Sequence, residues 1–187
     1  MVSSGLNKAA VEAEADLLVG FVNTIDLEEG TDALADPERM ADWITDHTGE
    51  FVPVPDSDSQ ARLLALRESV RALLIANNGI EAGEDELEPL REAAERSRYR
   101  TTISSAGRIA LAPARADLSG FEARLLLALE RLQSHGAWPR LKACTNPACH
   151  WAFYDTTRNR SRTWCSMEEC GNREKTRRYR SRRKTGM

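Results

Sequence analysis

Cys144-Thr145-Asn146-Pro147-Ala148-Cys149 and Cys165-Ser166-Met167-Glu168-Glu169-Cys170 decide how the C-terminal part of this chain folds. They contain all 4 cysteines of the 187 residues, as two pairs of equal internal spacing with fifteen residues between them. Two such short loops let four sulfurs reach one ion at about 2.3 Å, the tetrahedral thiolate coordination that zinc prefers. Cys144, Cys149, Cys165 and Cys170 are therefore the expected ligands of one structural Zn²⁺ ion. A set closed by four thiolates leaves no position for a catalytic water, so the site is expected to build structure rather than to run a reaction. His150, next to Cys149, is the one alternative ligand by spacing. Residues 1–10 lack a basic flank and an apolar run, so no export signal is expected and the chain is read as cytoplasmic. Thiols in that compartment stay reduced, which favours zinc over disulfides.

The formal net charge of −3 conceals a division. Residues 1–136 hold 13 Lys+Arg against 25 Asp+Glu, and residues 137–187 hold 13 against 4. The halves thus carry −12 and +9, the asymmetry expected of a nucleic-acid-binding tail on an acidic domain. Arginine supplies 22 of the 26 basic residues, and its planar fork suits phosphates and guanine edges. The domains are expected at 1–136 and 137–187, the first large enough for its own core and the second dependent on metal to fold. No apolar run is long enough to cross a membrane.

The acidic part reads as mainly α with one small β-hairpin. Val11, Ala15, Leu18, Val22 and Ile25 place a helix over 11–28. Asp36-Pro37-Glu38 starts a second, which runs to about His47 and stops at Gly49. A third covers 59–77 and a fourth 84–98, with Pro89 tolerated early in it. Residues 101–112 form a hairpin around Ser104-Ser105-Ala106-Gly107, and a fifth helix covers 119–134. Asn23 and Asp26 share a face of the first helix and, with Phe21, Val22 and Ile25 in the core, would open onto a ligand cleft; capping of nearby backbone is the alternative.

In the cysteine-bearing part, the first pair reads as a knuckle whose backbone amides point at the sulfurs. Trp151–Asp155 and Thr163-Trp164 read as strands, and Ser166 to Glu169 as the capping box of a last helix. Knuckle, hairpin and helix make a treble-clef-like finger. Between 173 and 184 stand eight basic residues, with Arg173, Arg177, Arg180 and Lys184 on one helical stripe. Arg158, Arg160 and Arg162 occupy the loop beside it. Unneutralised, such a stripe destabilises its own helix, and phosphates would relieve it. The competing expectation is docking onto the chain's own acidic domain.

The run Cys170-Gly171-Asn172-Arg173, with Phe153-Tyr154-Asp155 and the arginine-rich loop before Trp164-Cys165, resembles the CGNR zinc-finger family of bacterial proteins. Gly20 to Asp26, Asp36-Pro37 followed by Trp43-Ile44, and the hairpin resemble the domain named ABATE, which precedes that finger and is associated with stress-induced transcription regulation. The resemblance implies the metal role for all four cysteines and DNA binding by the finger. It defines no base-contacting residue and no ligand of the N-terminal domain.

No phosphate-binding glycine loop, dinucleotide fingerprint or framed carboxylate pair is present, and His47, His135 and His150 fall in no triad or metal pattern. The expectation is a DNA-binding transcription regulator, not an enzyme, with an N-terminal sensing or dimerisation domain. A homodimer and an unidentified small-molecule effector are compatible with it. RNA binding and a zinc-stabilised protein scaffold are the alternatives.

Overall fold

The computed structural model describes residues 8–184, without the side chains of 178, 179 and 181–184. Five helices build the N-terminal part: α1 (Lys8–Val22), α2 (Pro37–Thr48), α3 (Ser57–Ala76), α4 (Glu84–Arg96) and α5 (Leu118–Ser134). Two antiparallel pairs lie among them, β1 (Ile25–Asp26) with β2 (Thr31–Asp32), and β3 (Tyr99–Ile103) with β4 (Ile109–Pro113). The finger follows as β5 (Leu141–Ala143), β6 (Ala152–Tyr154), a π-helical turn (Met167–Gly171) and α6 (Asn172–Lys184).

Local chemistry sets the boundaries. Asp36, Asp56 and Asp117 each accept a backbone N–H in the first turn of α2, α3 and α5, satisfying donors that a helix start leaves free. Gly49, at φ 70°, ends α2 in the left-handed conformation that glycine adopts without strain. Against the expected span of 11–28, α1 stops at Val22. The hydroxyl of Thr24 donates to Phe21 O at 2.8 Å, and Asp26 Oδ1 accepts from the amides of Glu28 and Glu29. These side chains offer the backbone a turn in place of the helix. Asn23 and Asp26 thus lie beyond α1 and share no helical face.

Leu18, Phe21, Met40, Ile44, Leu63, Leu66, Leu74, Leu125 and Leu132, all 3 % exposed or less, fill the space between the helices. Each such side chain contributes about 1.5–3 kcal/mol by leaving water. The core does not stop at Gly136. Leu141, Ala143 and Ala152 belong to the same buried cluster, and Tyr154 packs against it. In β5 and β6 the period of two turns Leu141, Ala143, Ala152 and Tyr154 toward the helices and leaves Lys142 and Phe153 on the other face.

The finger's layout differs from expectation in one respect. Thr163-Trp164 is not a strand, and the partner of β6 is β5. The hairpin therefore brackets the first cysteine pair instead of following it. Thr163 still serves the knuckle, since its carbonyl accepts from Thr145 N at 3.0 Å.

Candidate metal centre and basic helix

The side-chain sulfurs of Cys144, Cys149, Cys165 and Cys170 all lie within 4.8 Å of one another. Cys149 and Cys165 stand 3.6 Å apart, and Cys165 and Cys170 3.7 Å. A tetrahedron with zinc–sulfur bonds of about 2.3 Å has edges of about 3.8 Å, so the four positions fit the ion. Burial and the neighbouring sulfurs push Cys149 up to about 12 and raise Cys165 as well. Four thiolates this close repel one another, and a divalent cation in their midst is what lets all four ionise. The donor set, its spacing and its chemistry hold one structural zinc.

Elements from both sides of the hairpin position these ligands. Cys144 follows β5 directly, and its amide donates to Trp151 O at 2.9 Å. Cys149 N donates to Asn146 O at 2.9 Å, which closes the knuckle. Asn146 Nδ2 reaches Cys170 Sγ at 3.4 Å, and the Trp151 amide bonds Cys149, both favouring thiolate. Ser166 caps the π-helical turn by accepting from Glu169 N at 3.3 Å, which is the serine half of the expected capping box, and Cys170 is buried within that turn. A Cβ on Gly171 would stand 2.6 Å from Met167 Sδ, so a side chain there would require the exposed Met167 side chain to move. His150 is no ligand. Its backbone takes φ 47°, and Nδ1 sits 3.2 Å from Cys144 O.

The arginine-rich loop is organised from inside. Lys142, 5 % exposed, and Asp155, 0 % exposed, pair at 3.2 Å beneath it. Lys142 Nζ also donates to Arg160 O at 2.5 Å and Arg162 O at 3.1 Å. Burial works against the Asp155 charge, yet hydrogen bonds from Thr157, Lys142 and Arg162 N hold its carboxyl down to about 2. Of the three loop arginines, Arg158 and Arg160 are exposed. Arg162 turns inward: its guanidinium lies 4.5 Å over the Phe153 ring, Nε donates to Trp164 O at 2.8 Å, and Nη2 to Cys165 O. It braces a zinc ligand.

On α6, Arg173, Arg177 and Arg180 are exposed, while the side chain of Lys184 lies outside the described residues. Arg173 is bound by Glu28 of the β1–β2 turn, and Arg177 Nε meets Glu174 at 2.7 Å. Docking onto the acidic part is thus realised at one stripe position. Asp26 lines an open hollow of about 290 Å³ with Glu28, Cys149, Trp151, Cys165 and Glu169; Asn23 does not. The expected Asn23–Asp26 cleft is not formed, because both side chains are taken by backbone groups.

Residues with no conspicuous motif hold the zinc module to the helices. Arg71, 4 % exposed, donates to Glu68 at 2.9 Å, to His150 O at 2.9 Å and to Val22 O at 2.7 Å. Arg67 beside it forms a two-pronged pair with Asp32, both contacts 2.8 Å. Burial opposes the Arg67 charge, but Asp32 and Glu68 raise its pKa above the ordinary value. Asn77 Nδ2 donates to Leu141 O at 2.8 Å and Asn78 Nδ2 to Ala143 O at 2.6 Å. The lone lysine among the finger's early arginines, and two asparagines ending an apolar helix, were the available signals.

Fold and site together define a helical protein that carries a four-cysteine zinc finger as part of its body. More particularly, the chain belongs to the ABATE family, whose description is "putative stress-induced transcription regulator" and whose family model matches residues 15–142. A second family model, the CGNR zinc finger, matches residues 140–183. No curated protein matches the chain. No helix among the described residues is long and apolar enough to cross a membrane.

Proposed function

We propose that the protein is a zinc-dependent transcription regulator that binds duplex DNA through α6 and the loop before it. The observation that carries this reading is the position of the exposed stripe. Arg173, Arg177 and Arg180 begin three residues after Cys170, so the ion that fixes Cys170 also fixes the direction of the basic helix. Arg158 and Arg160 add charge from the loop. The CGNR and ABATE matches support the same reading. No thiol remains for nucleophilic chemistry, and the chain is read as non-catalytic. The helical part would act as the sensing or dimerisation module, in a cytoplasmic protein whose thiols stay reduced.

A basic helix serves structured RNA on the same physical ground. The Glu28–Arg173 pair favours the scaffold reading to the extent that the stripe accepts carboxylates. Fluorescence anisotropy of the zinc-loaded chain with duplex DNA, an RNA hairpin and a single strand separates the readings. Binding to duplex DNA should fall log-linearly with salt, by about 0.9 per phosphate neutralised. Arg177→Ala with Arg180→Ala should flatten that slope by up to about 2. Absence of affinity for any nucleic acid at low salt would overturn the proposal.

A further inference from the structure

We propose that the β3–β4 hairpin is a second nucleic-acid contact, an arm that lays Arg100 and Arg108 on phosphates and offers Ile103 and Ile109 to a groove. This rests on the reading of the protein as a binder of duplex DNA.

The charge is local, and of its arginines only Arg115 has a carboxylate partner among the described residues, Asp117. Residues 97–116 contain 4 arginines and no acid, inside a part of the chain that holds 25 acids. Arg98, Arg100 and Arg108 are exposed, and none has a carboxylate at ion-pair distance among the described residues. Arg98 is spent on the carbonyls of Glu95 and Ser97. Arg100 uses only Nε, on Pro113 O at 3.2 Å, and keeps its terminal fork. Desolvated phosphates are the natural partners of two unpaired guanidiniums on one strand pair.

The shape fits the same partner. Ile103 and Ile109 face each other across the ladder at 70 % and 72 % exposure, with Leu111 at 50 % next on that face. Side chains this exposed are open to a partner, and apolar wedges of this kind enter base steps from the minor groove. Five-residue strands reach about 17 Å. The turn between them, Ser104-Ser105-Ala106-Gly107, is small enough for a groove about 6 Å wide. The tip is preorganised: Ser104 N donates to Arg108 O at 2.9 Å, Arg108 N to Ser104 Oγ at 3.1 Å, and Gly107 holds φ 73°. The base is anchored, with Arg131 Nη2 on Leu111 O at 3.0 Å. Stacking two hairpins from two copies would bring unpaired arginines together, which disfavours self-association through this face.

The test uses the full, zinc-loaded chain and a labelled duplex of about 30 base pairs, with anisotropy read across a salt series. Arg100→Ala/Arg108→Ala should flatten the log–log slope by up to about 1.8. Ile103→Thr/Ile109→Thr should keep the slope and lose end-to-end energy transfer that reports bending. Both pairs should melt like the parent, since the positions are exposed. Hairpin variants that match the parent, while the Arg177/Arg180 variant weakens, overturn the arm and leave the finger reading intact. A parent that binds no duplex overturns both. A dimer seen by sedimentation, lost in the isoleucine variant, gives the face to a second copy and overturns the arm.

Discussion

The side-chain amide of Asn23 pairs with the backbone of Ala152 as a neighbouring strand would, Nδ2 donating to Ala152 O at 2.9 Å and Oδ1 accepting from Ala152 N at 2.7 Å. Residues 129 apart in sequence are joined at the free edge of β6, beside the zinc knuckle. Asn23→Ala should lower stability by about 2 kcal/mol, since it strands one donor and one acceptor. Asn23→Asp should be worse, because it sets a charged carboxylate oxygen against the Ala152 carbonyl where Nδ2 now donates. Denaturant midpoints of the two variants check this order.

Cys165→Ser should abolish stoichiometric zinc, as measured by elemental analysis. It should release residues 156–171 and the orientation of α6, while β5 and β6 stay held by Leu141, Ala143 and Ala152. Amide protection should therefore collapse over the loop and α6 and persist over 141–143. Uniform exchange through the helical part would refute this.

Arg71→Ala leaves the carbonyls of Val22 and His150 without their donor and Glu68 without one partner. Glu68 is half exposed and keeps Arg67, so the cost comes mainly from the stranded carbonyls, about 1–3 kcal/mol each. Weaker zinc retention against a chelator should accompany the loss, because His150 lies within the knuckle's exit.

Gly120→Ala should be among the most damaging substitutions in α5. An added Cβ would meet Arg115 O at 2.0 Å, a backbone atom that cannot rotate away. The expected cost is about 3 kcal/mol. A thermal midpoint within a degree of the parent would contradict it.

Asp117 gives a pH signature away from the metal. Burial opposes its charge, but Arg115, Ser119 and Gly120 N lower its pKa to about 2. A carboxyl depressed on folding contributes stability that is full above its unfolded pKa near 3.8 and is lost as pH falls through about 2. The parent should exceed Asp117→Asn by about 1–2 kcal/mol above pH 5, after allowing for solvent screening, and the gap should close between pH 4 and 2.

Helices whose starts carry an aspartate cap and whose faces repeat apolar residues were legible in the sequence, as α2 and α5 show. So was the metal set, because thiolates at knuckle spacing serve few other purposes. The end of α1 was not, since Val22 and Ile25 continue the helical period and only the side-chain bonds of Thr24 and Asp26 break it. β5 is not legible either, because three residues, Leu141, Lys142 and Ala143, are too few to show a period. Arg162 reads as a nucleic-acid contact beside Arg158 and Arg160, whereas its ring contact with Phe153 depends on a fold that brings the loop back over β6. The lesson is that local pattern reveals elements, while the partners of polar side chains depend on distant chain.

The hairpin that carries the first two zinc ligands is also a wall of the helical core, tied there by Asn23, Asn77 and Asn78. A finger of this build is not a cassette. Grafted onto another protein it would arrive with Leu141, Ala143 and Ala152 bare, and removed from this one it would leave α1 and α3 uncovered. Any redesign of the surface of α6 therefore has to be made in place, with the metal-bearing hairpin and its host treated as one unit.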